Sequence, residues 1–158
     1  SIEYTLLVQD KNMDDESKEQ FLSLFVDKPA KTMVGLAVVG GAFGEGVDLT
    51  NERLIGVVVV GVGLPKLCFE RDRIRDHFDQ KYGKGYEYAY VDPGINRVMQ
   101  AVGRVIRSET DRGVALLIDD RYLSSNYHDM FTNQWSNYKV VTSTQDIKEE
   151  LEDFWKVK

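Results

Sequence analysis

The chain has little of what staples, anchors or metallates a protein. One of its 158 residues is a cysteine, Cys68, which excludes an internal disulfide and a multi-cysteine metal site. Cys68 itself reads as a small, partly buried apolar residue. The two histidines, His77 and His128, have no partner at metal-ligand spacing and read as surface or helix-flank residues. The longest apolar run, Leu54 to Val62, is far below the ~20 residues that span a bilayer, and no basic segment followed by an apolar one opens the chain. Positive charge is also short. Twenty Lys and Arg stand against 26 Asp and Glu, a net charge of −6, which is the wrong sign for a domain that holds nucleic acid unaided. Any nucleic-acid contact must be local or shared.

What is present, 42% hydrophobic and 29% charged residues, describes a soluble cytoplasmic domain able to bury a real core. Ser1 stands where a methionine would, directly before an apolar run, so the chain is expected to be an excised piece of something longer. No repeat, low-complexity segment or linker interrupts it. Tyr4 to Val8 reads as a strand. Asp14 caps a helix with Phe21, Leu22, Leu24 and Phe25 on one side. Lys31 to Val39 and Leu54 to Val62 are nearly continuous apolar runs, the pattern of parallel strands covered on both faces, so a βαβ layout follows. A helix after Pro65 carries Ile74, Phe78 and Tyr82 and ends at Gly83. Gly113 to Ile118 is a further buried strand, closed by Asp119, Asp120 and Arg121. A short strand is expected near Tyr138 to Val141. A last helix, capped near Ser143 or Thr144, shows Ile147, Leu151, Phe154 and Trp155 on one face, while Glu149, Glu150, Glu152 and Asp153 read as a solvated face. The aromatics Tyr122, Tyr127, Phe131, Trp135 and Tyr138 lack interleaved basic residues and read as cover for the end of a core.

Two segments carry chemistry. In QAVGRVIRSETDRGVALLID, a helix is expected from Pro93 to about Arg107, with Asp92 at its N-cap and Pro93 at its first position. Ile95, Val98, Met99, Val102, Val105 and Ile106 supply its core face. Gln100, Arg104 and Arg107 line the other side as one polar stripe. Two guanidinium forks beside an amide suit polyphosphate, whereas the plain alternative is a solvated face. Gly103, costing about 1 kcal/mol in a helix interior, implies a close neighbour at that point. The second segment is GGAFGEGVDLTNERL, where Gly40, Gly41, Gly44 and Gly46 let backbone amides approach a ligand at the end of a parallel strand. No lysine followed by serine or threonine closes it, so it is not a phosphate-binding P-loop. Glu45 and Asp48 could accept from ribose hydroxyls, hold the arginine stripe, or make an Asx-type turn.

Together these segments resemble the XPD/DinG family of superfamily two DNA helicases, in its second, C-terminal RecA-like motor domain, with bacterial DinG-like members the nearest kind. GAFGEGVDL is similar to the family's motif V. QAVGRVIRSETDRGVALLIDDRY is similar to motif VI, a Q-x-x-G-R-x-x-R helix followed by a D-x-G turn, a buried strand and a D-x-R ending. Both occur in the family's order with VVVVGVGLP between them, and the resemblance runs from about Leu6 to Tyr122.

The resemblance implies a RecA-like three-layer α/β sandwich with a mainly parallel sheet, truncated at its N-terminus. Residues 1–125 would form the motor domain and 126–158 a C-terminal extension on it. It implies that Arg107 and Arg104 reach the triphosphate of a magnesium-bound ATP held mainly by the first motor domain, and that Gln100 positions nucleotide or water. Gly46, Asp48 and Glu45 would meet the nucleotide side, while Gly41, Phe43 and Gly44 would lie closer to single-stranded DNA. Asp111 and Gly113 would shape the turn into the strand. The family's lysine loop, acidic metal-binding box and four-cysteine cluster, the last being where an iron-sulfur site would lie, belong to the first motor domain. The resemblance therefore implies that the chain is half of a 5′ to 3′ helicase, expected to be inactive alone. The strand and helix that precede the Leu6 strand in the family would be missing if the chain is excised there, and the apolar edge so left is expected to drive self-association. Two alternatives stand beside this: a non-catalytic α/β interaction module, and the motor part of a DinG-like nuclease.

Overall fold

A computed structural model describes residues 3–41, 43, 49, 51–106, 111–124, 127, 130, 131, 135 and 137–156, with the backbone alone at position 51. They fall into two compact units, Ser1–Ser124 and Ser125–Lys158. The first unit holds β1 (Tyr4–Val8), α1 (Asp15–Ser23), β2 (Thr32–Leu36), β3 (Gly56–Val60), α2 (Phe69–Tyr82), a π-helical turn (Glu87–Val91), α3 (Asp92–Val102) and β4 (Val114–Ile118). The second holds α4 (Thr144–Lys156).

β1 and β2 pair in parallel, Tyr4 opposite Thr32 and Val8 opposite Leu36, and β3 and β4 pair in parallel, Gly56 opposite Val114 and Val60 opposite Ile118. Because side chains alternate along a strand, this equal register sorts each pair into two faces. One face of β1–β2 packs Leu7 and Met33 against the buried Phe21, Phe25 and Leu49. Gly35 is bare because the rings lie on it: a methyl group there would come within 2.8 Å of Phe25 Cζ.

The other face, with Tyr4, Leu6, Val8, Val34 and Leu36, is exposed. β3–β4 repeats the arrangement. Val59 is buried, while Val58, Val60 and Ile118 are open, Val60 to 74%. Apolar runs predicted to be covered on both sides are thus covered on one. Apolar composition records what a strand can bury against, and the described residues bring a helix to one face only.

α1 starts as its sequence demands, with Asp14 accepting from Ser17 N–H at 2.8 Å. Its end is held from a distance by Arg53, whose Nε donates to Phe25 O at 2.6 Å and whose Nη2 donates to Leu22 O at 3.3 Å. α4 is closed by a reciprocal box, Ser143 Oγ accepting from Asp146 N–H at 3.1 Å and Asp146 Oδ2 accepting from Ser143 N–H at 3.0 Å. α2 ends at Gly83 in the left-handed conformation, φ 65°.

On α2, Ile74 and Tyr82 are exposed. Phe78 stacks on Tyr88 with centroids 4.6 Å apart. Several expectations fail. Cys68 is exposed at the head of α2 rather than partly buried. Tyr138 to Val141 forms no strand.

The largest correction concerns Asp92 and Pro93. Asp92 is not an N-cap but a helical residue, φ −57° and ψ −48°, whose N–H reaches back five residues to Glu87 O. The helix enters from the π-turn and Pro93 sits inside the helical path. A proline there has no N–H and its ring crowds the carbonyl four residues earlier, so the chain widens to a π-turn around it.

Candidate functional site

The C-terminal ends of β2 and β3 meet the same helix. Gly63, at φ +65°, lies so close to α3 that a methyl group on it would be 2.7 Å from Gly94 O; a methyl group on Gly94 would be 2.7 Å from Val62 O. Two glycines therefore allow backbone to pack on backbone, with Val98 wholly buried beside them. At β2, Gly40 adopts φ +74°, and the side chain of Arg97 lies across it, Cδ and Nε each 2.8 Å from where Cβ would be. α3 is thereby fixed over the edge from which the glycine-rich segment leaves. In a parallel sheet, ligands bind at this edge.

Arg97 and Gln100 lie three residues apart on α3, on the side away from buried Ile95 and Val98. Gln100 is exposed and Arg104 half-buried. Arg104 is not on the helix. α3 ends at Val102, Gly103 donates its N–H to Met99 O at 2.8 Å, and Arg104 and Val105 follow in a turn through bonds to Ala101 O and Val102 O. The expected single helical stripe is a helix followed by a turn, and Gly103 marks its end at φ −62° rather than an interior position. The neighbour expected at Gly103 is absent among the described residues; a methyl group would meet only the helix's own carbonyls, the nearest 3.2 Å away at Met99. At the far end of the turn, Gly113 is packed on Val105 with no room for a side chain, which is how the chain re-enters a strand. Arg107, Gly44, Glu45, Gly46 and Asp48 lie outside the described residues.

Gly41 is exposed at the end of β2 and donates to Val38 O at 2.9 Å. Phe43 packs on Phe21, centroids 4.7 Å apart, and so anchors the segment on α1. Tyr122 is buried and donates to Gly61 O at 2.6 Å, holding the β3 turn. Asp119 grips Arg121 through two 2.8 Å bonds, and the Arg121 hydrogen bond holds the Asp119 carboxyl below its ordinary value. On the entry side of α3, burial pushes the Asp92 carboxyl up, Glu87 adding to the effect and Lys84 opposing it.

Arg97 was missed in the sequence, although it extends the polar stripe one turn towards the N-terminus, three residues before Gln100. Gln9 was missed too: a single polar residue ending an apolar strand carries no distinguishing sequence signal.

Among the described residues no cluster of His, Cys, Asp and Glu could hold a metal, and no helix is long and apolar enough to cross a membrane.

A family model described as the helicase C-terminal domain matches residues 1–138. The probable ATP-dependent helicase MJ0942 of Methanocaldococcus jannaschii is 28% identical over 153 residues, covering 89% of this chain and 23% of that protein. A protein named 3′-5′ exonuclease DinG from Staphylococcus haemolyticus is 28% identical over 149 residues, covering 93% and 15%. The ATP-dependent DNA helicase chl-1 of Caenorhabditis elegans is 34% identical over 96 residues, covering 60% and 12%. The chain thus spans less than a quarter of the length of these relatives. A solved XPD structure in its apo form superposes with a TM-score of 0.61 at 21% identity, over 78% of this chain and 25% of that one. That likeness shows the fold, an α/β RecA-like domain.

Proposed function

Since the chain belongs to the helicase C-terminal domain family, we propose that it serves as the second RecA-like motor half of a cytoplasmic, 5′ to 3′ ATP-dependent DNA helicase. In this role Arg107 and Arg104 act as arginine fingers on the phosphates of a magnesium-bound ATP held mainly by the first motor domain, and Gln100 orients nucleotide or water. Gly46, Asp48 and Glu45 serve the nucleotide, and the Gly41–Gly44 segment, anchored by Phe43, faces single-stranded DNA. Residues 1–125 form the motor unit and 126–158 its extension. Any iron-sulfur site belongs outside this chain.

One observation carries the proposal: α3 is seated by Gly63–Gly94 and Gly40–Arg97 on the strand-end edge, so the Gln100–Arg104 segment starts from the margin where a ligand of a parallel sheet sits. A half-site of this kind is inactive alone, because its cations have no phosphate to act on until the partner domain delivers it.

Replacing Arg107 by alanine in a protein with both motor halves tests the assignment. DNA-stimulated ATP hydrolysis should fall by about 10³-fold or more, the range for arginine fingers, with the thermal midpoint unchanged. Unchanged turnover would remove the motor assignment. A second role, the motor part of a DinG-like nuclease, is favoured by the relatives named 3′-5′ exonuclease DinG. Strand degradation by the longer protein would establish it. The exposed apolar faces of both strand pairs support self-association of this chain when alone.

A further inference from the structure

Two side chains from other elements flank Gly40 and Gly41 at the end of β2. Gln9 follows β1. Its Oε1 accepts from Val38 N–H at 2.9 Å and its own N–H donates to Leu36 O at 2.8 Å. The amide is therefore held in one orientation, with Nε2 directed to Gly41, 3.4 Å from where Cβ would be. Arg97 arrives from α3 and lies across Gly40, its Cζ 3.1 Å from the missing Cβ. Both side chains are half-buried. Among the described residues, neither the Gln9 Nε2 group nor the Arg97 guanidinium has an acceptor. A half-buried guanidinium and a fixed amide donor placed over successive residues of one turn, neither paired with a carboxylate among the described residues, form an arrangement completed by an anion. The bare turn lets that anion approach, since a side chain at Gly40 would displace Arg97 and would be strained at φ +74°.

We propose that Gln9 and Arg97 form a phosphate-binding site over the Gly40–Gly41 turn, separate from the Gln100–Arg104 segment. The guanidinium fork supplies two parallel N–H donors and the amide supplies a third. The ligand is a phosphate oxyanion, carried by a nucleic-acid strand or by a nucleotide. The site rests on the motor assignment only for the source of that phosphate.

The test uses a protein with both motor halves and compares the parent with R97M, R97K and Q9L. R97M keeps the apolar stem on Gly40 and removes the donors. Binding of a 20-residue oligothymidylate is measured across a salt series, and KM for ATP is measured in parallel. For a strand phosphate, R97M should weaken oligothymidylate binding about tenfold and flatten the slope of log affinity against log salt by about 0.7, with KM for ATP unchanged. For a nucleotide phosphate, KM should rise about tenfold instead. Q9L should weaken the same parameter by a smaller factor. Where R97M lowers the thermal midpoint, R97K takes its place: it retains stem and charge, loses the fork, and should lose about threefold on that parameter. Wild-type values for both ligands in every variant, at the parent's thermal midpoint, would overturn the site. Absence of DNA-stimulated ATP turnover in the parent protein would overturn the motor assignment instead, and the two failures are distinguishable.

Discussion

Arg71 Nη1 donates to Ala89 O at 2.8 Å, and Ala89 is the residue whose α-helical donor would be Pro93. The guanidinium of α2 thus supplies from outside the hydrogen bond that proline cannot supply from within. Beside it, Tyr90 Oη donates to Asp72 Oδ1 at 2.9 Å. The π-turn that launches α3, the helix carrying Arg97 and Gln100, is pinned by two adjacent residues of α2.

Arg71→Met should therefore destabilise the chain by about 1 kcal/mol, the usual net worth of such a bond. In a Pro93→Ala background the backbone regains a donor, and the same change should cost less. Denaturant midpoints across the four proteins give the coupling directly. Strict additivity would mean that the bond does not compensate for the proline.

Gly94→Ala sets two effects against each other. Alanine favours a helix over glycine by about 1 kcal/mol, but its methyl would press on Val62 O from 2.7 Å, an overpacking that costs about 1–3 kcal/mol. The collision is with backbone and should win, giving a net loss. Gly63→Ala adds left-handed strain of about 1–2 kcal/mol to its own collision and should be worse. Gly103→Ala, meeting only its own helix, should stay within about 0.5 kcal/mol. Thermal unfolding of the three variants should reproduce that order; a Gly103→Ala as harmful as Gly63→Ala would reveal a neighbour of Gly103.

Two aspartates should respond to pH with opposite signs. The Asp92 carboxyl is raised, first by burial and then by Glu87, so the folded state disfavours its charged form and stability drains away as pH climbs through its ordinary range. Asp92→Asn should raise the unfolding midpoint at pH 7, and the gain should vanish below the ordinary value of 3.8. The Asp14 carboxyl is lowered by its hydrogen bonds from Ser17. Its contribution is complete above 3.8 and disappears as pH falls through its folded value, so Asp14→Ala should hurt at pH 7 and become silent in strong acid. Midpoints at pH 7 and pH 3 for both variants check the signs.

The open strand faces predict concentration-dependent association of the isolated chain. Val60→Lys and Leu36→Lys place charge on residues exposed to 74% and 52%, so they should suppress association while barely changing the unfolding midpoint. Sedimentation velocity of the parent chain across a concentration series decides it, a monomer at every concentration counting against the expectation.

Much of this was legible in the residues. Local rules sufficed for the Asp14 cap, the Gly83 stop, the four strands and the Ser143 box, because each depends on neighbours within a few positions. The aspartate–proline pair at 92 and 93 misled for the same reason: it is a helix-start signal when nothing precedes it, and here a preceding turn, held by Arg71 eighteen residues away, already supplied the helix.

By itself the sequence determined which segments are apolar, where each helix can begin or stop, and the two motifs that place the chain in its family. Only the tertiary structure decided that a glycine in each of two loops receives α3, that Arg97 lies across Gly40, and that one face of each strand pair is left open. Periodicity describes a residue's partners along one element. The approach of two backbones, or of a guanidinium to a turn 57 positions earlier in the chain, is set by how separate elements pack, and no local pattern encodes that distance.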